Sequence, residues 1–313
     1  MIYWNFRPFR MSTSPVIETH ELSSVPPVRL PWWKIGWFTA LIVVCYAPIL
    51  RELVHVWATD DDMGHGFFVP IVAGFIAWRR RGLLLAVPAQ TNSWGLLIMA
   101  WGCLQVIAAT LAAELFTQRL AVVITITGMV YYLGGRRWLR LLALPLVLLL
   151  FMIPIPQIIY AQLTLKLQET ATMLAEMILT VIGIPVIRSG NLLELPSQTL
   201  NVAEACSGIR SMLSLGFLSL VYAYFRENRR WVRWLLFLCS VPIAIGANAI
   251  RVAVTGVLSE MNNAWASGIY HEIEGYVVFA IALIALISVH LFVKLVLKSL
   301  RKTDDPQTGH AII

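Results

Sequence analysis

The feature that most constrains this chain is a series of long apolar runs. Most hold roughly 16 to 25 residues, the length an α-helix needs to cross ~30 Å of hydrocarbon. Inside a bilayer every backbone N–H and C=O must find a partner within the protein, and an α-helix satisfies them within its own segment. The runs lie near 35–56, 66–79, 93–113, 117–135, 138–154, 207–225, 231–258 and 271–297. They predict an all-α, polytopic integral membrane helix bundle of about eight transmembrane helices. Composition agrees, since only 13% of the 313 residues are charged, against about 25% in an ordinary soluble domain.

The formal charge of +7 does not imply nucleic acid. The basic residues fall in short clusters between apolar runs, as topology determinants do. One set of connections holds Arg7, Arg10, Arg29 and Lys34, then Arg79–Arg81, then Arg136, Arg137 and Arg140. It continues with Arg226, Arg229, Arg230 and Arg233, and ends with Lys294, Lys298, Arg301 and Lys302. The opposite connections, "TDDDMGHG", "AELFTQ", 155–206 and "SEMNNAWASGIY", are acidic or neutral. Eight spans with both termini cytoplasmic satisfy this alternation. Residues 1–34 then form a cytoplasmic N-terminal tail ahead of a retained span, 35–297 the membrane domain, and 298–313 a cytoplasmic C-terminal tail.

Residues 157–183 are apolar but carry Gln157, Gln162, Lys166, Gln168, Glu169 and Glu176. Counting them as a span would invert the orientation of everything that follows. They suit an amphipathic helix on the outer surface or packed on the bundle. Within "PVIRSGNLLEL" a Ser-Gly-Asn turn separates two β-favouring runs, which predicts a small extracytoplasmic hairpin.

The hairpin leads into "NVAEACSGIRS" (201–211). Asn201 is a good N-cap and Glu204 stands three residues on, as in a capping box. A helix starting near Val202 puts Cys206 in its second turn, with Arg210 at i+4 on the same face. The positive helix end and a nearby guanidinium both favour a thiolate, the nucleophilic form. The alternative makes Cys206 a packing residue and Arg210 an interfacial snorkeler. In "GANAIRVAVTG", Arg251 lies inside an apolar run with Asn248 at i−3. Ionisable residues within spans are costly and point to a site; an arginine snorkelling outward is the other reading. "HEIEGYVVF" opens the last span with His271. The predicted topology brings Cys206, Arg251 and His271 to the outer ends of three consecutive spans. Cysteine with histidine is an activated-nucleophile pair, and a fixed cation suits an oxyanion. This predicts acyl transfer at the outer membrane–water boundary. A transporter or channel with an Arg/His-lined path is the rival reading. The other cysteines, Cys45, Cys103 and Cys239, lie within apolar runs. No cofactor or metal is expected, because His55, His65 and His271 lack a ligand spacing.

"NVAEACSGIRS", "NAIRVAVTG" and "HEIEGYVVF", in that order, resemble the exosortases. So do "GHGFFVPIVAGFIAWRRR" (64–81) and "PIPQ" followed by "GIPVIRSGN". The resemblance runs over about 35–297. It implies a multi-pass cysteine peptidase/transpeptidase of the bacterial inner membrane, with its active site on the periplasmic face. Its substrates would be secreted proteins with a C-terminal PEP-CTERM signal: a Pro-Glu-Pro-like motif, a membrane span and a basic tail. The family is tied to exopolysaccharide and biofilm export. Its catalytic Cys, Arg and His match Cys206, Arg251 and His271. The related archaeosortases have an arginine as third member, whereas this chain has His271. Arg210, Glu204 and Asn248 are expected to support the site. His65 either lines it or is structural. The implied partners are the substrate's own transmembrane segment, the lipid bilayer and an acceptor amine of unknown identity.

Overall fold

The computed structural model describes residues 32–87, 90–202, 208–261 and 269–303, without the side chains of 269–272 and 301–303. The chain opens with α1 (Trp32–Cys45), α2 (Ala47–Thr59), a 3-10 segment (Asp61–Phe67), α3 (Phe68–Arg79) and α4 (Arg81–Ala86). Next come α5 (Trp94–Leu111), α6 (Leu115–Leu141), α7 (Ala143–Leu148), a second 3-10 segment (Leu149–Met152) and α8 (Gln157–Ile182). Strands β1 (Ile187–Ser189), β2 (Leu192–Glu194) and β3 (Thr199–Asn201) follow. The chain closes with α9 (Ile209–Arg226), α10 (Arg230–Met261) and α11 (Ile269–Thr303). It is an all-α membrane helix bundle with one small sheet.

Four helices are each long and apolar enough to cross a membrane: α5, α6, α10 and most of α11. Two further candidates are bent pairs, α1 with α2 at 73° and the α7 segment with α8 at 84°. The described helices thus give four to six spans by length and composition, where the sequence suggests about eight. The difference has local causes. The run 66–79 becomes the 12-residue α3, roughly 18 Å long at 1.5 Å per residue. The run 138–154 is divided among the end of α6, α7 and the second 3-10 segment.

The pairing of α5 with α6 shows how the bundle is held. Lipid tails are as apolar as leucine, so helix association in a membrane depends on close packing rather than on hydrophobicity. A Cβ on Gly95 would lie 2.3 Å from the Tyr132 backbone nitrogen, and one on Gly128 would lie 2.8 Å from that of Met99. Only glycine allows these backbones to touch. The other side of α5 exposes Trp94, Leu97, Trp101, Leu104 and Leu111, as a lipid-facing surface requires. Glu114 caps α6 by accepting from the N–H groups of Phe116 and Thr117 at 3.1 and 2.6 Å. Gly95→Leu is expected to lower stability by about 1–3 kcal/mol, because overpacking forces the helices apart. Thermal unfolding of the purified protein in detergent measures this; a transition as high as wild type would show that the contact is not limiting.

Two cores position the far end of the bundle. Leu215, Ala223, Leu236, Ala244, Ala247, Val278 and Leu286 join α9, α10 and α11. Ala171, Ala175 and Leu179 of α8 pack with Leu193, Val202, Val252 and Ala253. The expected hairpin is present with a third strand added, in antiparallel order β1-β2-β3. Its turn contains Gly190 at φ +64°. Ser197 moors the sheet to α10, donating from its backbone N–H (3.0 Å) and its hydroxyl (2.6 Å) to Glu260. Gln157–Ile182 form α8, which packs on α10 and, with the α7 segment, also makes one of the two bent candidate spans.

Candidate active site

Cys206 and Glu204 lie outside the described residues, so the site is built from what surrounds their segment. β3 ends at Asn201 and α9 begins at Ile209. Between them Gly208 adopts φ +68°, ψ −28°, a left-handed conformation that glycine takes at little cost. A continuous right-handed helix from Val202 through Arg210 is thereby interrupted. The i, i+4 relation between Cys206 and Arg210, which assumed one unbroken helix, does not carry across Gly208.

Arg210 is engaged elsewhere. Its Nη2 lies 3.2 Å from Asp61 Oδ2 and its Nε 3.3 Å from Asp62 Oδ1. Tyr160 of α8 also donates to Asp62. The acidic stretch "TDDDMGHG" thus ties the start of α9 to the connection between α2 and α3, across 148 residues. Sequence inspection missed this pairing. The sole signal was opposite charge on two connections assigned to one side.

That connection also carries His65. Its Nε2 is 3.1 Å from the Phe151 carbonyl oxygen, so Nε2 bears the proton. Its Nδ1 is buried without a hydrogen-bond partner among the described residues, and its ring packs near Phe217 with centroids 6.5 Å apart. Burial holds the imidazole below its ordinary pKa, keeping it neutral. These are packing contacts with the second 3-10 segment and α9.

Asn248 and Arg251 occupy one face of α10, three residues apart. A Cβ on Gly208 would lie 3.0 Å from Asn248 Nδ2, so the Asn248 amide sits against the backbone two residues beyond Cys206. Asn248 is 4% exposed, and its Nδ2 has no hydrogen-bond partner among the described residues. The Arg251 guanidinium packs on α11, where a Cβ on Gly275 would meet its Cζ at 3.4 Å. Gly275 is one helical turn beyond His271, which lies in the first turn of α11. Three consecutive helices thus bring Gly208, Arg251 and the His271 turn to one end of the bundle.

Two further residues complete this cluster. Thr255, at i+4 from Arg251, has its Oγ1 3.0 Å from the Arg251 carbonyl oxygen. The same hydroxyl lies 2.9 and 3.0 Å from the two carboxyl oxygens of Glu274. Glu274 is 8% exposed; burying a carboxyl is costly unless it is hydrogen-bonded. The Thr255–Glu274 bond therefore fixes the rotation of α10 against α11, and with it the guanidinium against Gly275. Thr255 was missed from sequence, although its spacing from Arg251 in "NAIRVAVTG" places the two on one face. Among the described residues no group of three or more His, Cys, Asp or Glu could hold a metal.

The family model of the transmembrane exosortases matches residues 57–288. The chain belongs to the transmembrane exosortase family. That makes it a multi-pass membrane protein and a protein-sorting enzyme of the cysteine transpeptidase type. An exosortase acts, in a membrane setting, on protein substrates that bear sorting signals. The match spans the whole cluster, from Asp61 through Arg210, Asn248 and Arg251 to Glu274. No curated protein and no solved structure matches the chain.

Proposed function

We propose that this exosortase cleaves proteins bearing a C-terminal PEP-CTERM-type signal, through a thioacyl enzyme on Cys206, and passes the acyl group to an acceptor amine. The observation that carries this reading is the approach of the Arg251 guanidinium to Gly275, one turn from His271, at the end of the bundle where Gly208 adjoins Asn248. In this reading the nucleophile precedes α9, the cation lies on α10 and the base opens α11. The Lys/Arg distribution supports a site on the outer face and cytoplasmic termini, and membership of the exosortase family supports residence in the bacterial inner membrane, with the site periplasmic.

In this reading the substrate's own span docks laterally beside α9–α11. The Cys206 thiolate adds to the scissile carbonyl. Arg251 orients that carbonyl and neutralises the oxyanion, with the Asn248 amide as a neutral donor. His271 protonates the departing amine as the carbon–nitrogen bond breaks, leaving a thioester. The acceptor amine then adds to the thioester and gives its proton to His271. Collapse forms the new amide and restores the thiolate. Arg210 and Glu204 support the chain around Cys206, Arg210 through its grip on Asp61 and Asp62.

Co-expression with a PEP-CTERM protein tests the proposal. The substrate should shorten only when the wild-type enzyme is present, and its new C-terminus should carry an added group. An unprocessed substrate rejects the assignment. A free carboxylate at the new terminus replaces transfer with hydrolysis.

A further inference from the structure

At the opposite end of α10 the basic residues do more than mark topology. Arg80, in the turn between α3 and α4, donates from Nε to the Tyr224 hydroxyl at 2.8 Å and from Nη1 to the Leu141 carbonyl. Arg233 of α10 donates from Nε to the Glu227 carbonyl at 2.7 Å. Both guanidinium groups pack on the ring of Tyr224, at 4.9 and 5.4 Å from its centroid. Two cations from different elements are thus held close together by neutral groups. Among the described residues, no carboxylate forms an ion pair with either one.

Glu227, the only acid in "RENRRWVR", spends its carboxylate on other partners. Its carboxylate accepts from the backbone N–H groups of Asn228 and Arg229 at 2.8 and 2.9 Å, and lies 3.4 Å from His290 Nε2. Like charges this close repel one another, and a bound anion would offset that. The planar guanidinium forks, oriented through Nε, match the geometry of a phosphate group.

The depth of the site indicates where such a phosphate comes from. Trp78, Trp231 and Trp234 flank Arg80 and Arg233 in sequence and are 58, 52 and 57% exposed. Exposed tryptophans at the ends of apolar helices settle at the level of the lipid headgroups. Arg233 and Arg251 are 18 residues apart on α10, roughly 27 Å at 1.5 Å per residue. The pair therefore belongs to the leaflet away from the candidate active site.

We infer that Arg80 and Arg233, gathered on Tyr224, form a binding site for the phosphodiester of an anionic phospholipid. The bound lipid clamps the α3–α4 turn to α9 and α10. This does not depend on the reading of the active site.

Native mass spectrometry of the full-length protein tests it, with phosphatidylglycerol and phosphatidylcholine offered in equal amounts. Wild type should retain phosphatidylglycerol preferentially. Arg80→Gln with Arg233→Gln should reduce that occupancy about tenfold, as charge-assisted bidentate contacts are lost, while Arg229→Gln leaves it unchanged. Arg233→Lys keeps the charge and loses the fork. It should weaken retention severalfold with the thermal unfolding transition in place, which separates lost binding from lost folding. Equal retention of the two lipids, or undiminished retention by the double variant or by Arg233→Lys, would overturn the proposal. Displacement of the lipid by millimolar inorganic phosphate would overturn it too, since the site would then serve a soluble anion.

Discussion

Cys206→Ala is expected to abolish processing of a co-expressed substrate, and Cys206→Ser to reduce it by at least about 10³-fold. The proposed chemistry divides amide exchange into two steps through a thioester, and only a thiolate both attacks and leaves readily near neutral pH. Serine preserves shape, but its hydroxyl is far less acidic than a thiol and stays un-ionised near neutral pH unless a base activates it. Alanine removes the nucleophile and leaves Arg251, Thr255 and Glu274 in place, so substrate recognition should survive. Full-length substrate should therefore accumulate in the membrane and still co-purify with the alanine variant. Substrate length by immunoblot and co-purification from the same membranes give both readings. Processing by Cys206→Ala within tenfold of wild type would remove Cys206 from the mechanism. Arg251→Lys should fall between the two variants, since an ammonium keeps the charge but cannot lie flat on Gly275 while pointing donors at a carbonyl.

What could be read from sequence divides along a physical line. The apolar runs of α5, α6, α10 and α11 were legible because hydrocarbon imposes a length on any crossing helix. The Ser-Gly-Asn hairpin was legible because turn chemistry is local. The run 138–154 misled, because hydropathy does not register backbone breaks. Gly135 takes φ +61°, ψ −160° within α6, and the α7 segment then turns by 84° into α8. At the site, the Asn248–Arg251 face followed from helical spacing alone. The Arg210 pairing with Asp61 and Asp62 did not, since only the folded chain joins those positions. The Thr255–Glu274 bond was hidden for the same reason: it joins two helices across 19 residues. Gly208 lay in plain view in "ACSGIRS", yet nothing local separates a helical glycine from a left-handed one.

Asn248→Ala should lower the rate of acyl transfer about 10²-fold, in the range of a lost oxyanion-hole donor, with little loss of stability. A buried amide N–H without a partner costs about 1–3 kcal/mol. Asn248 Nδ2 bears such a cost among the described residues, beside the backbone that follows Cys206. A group kept unsatisfied in the resting protein but needed in the transition state would behave this way, because its hydrogen bond forms only when the carbonyl becomes an oxyanion. Removing Nδ2 forfeits no hydrogen bond to the described residues, so folding should be nearly indifferent. Asn248→Asp should be the more damaging change, since a carboxylate cannot donate and would repel the developing charge. Single-turnover rates on a trapped substrate, set beside thermal unfolding of each variant, separate the two contributions. Rate losses that scale with stability losses across Ala, Asp and Ser at this position would make Asn248 a packing residue. A rate loss at unchanged stability, largest for aspartate, is the outcome the geometry predicts.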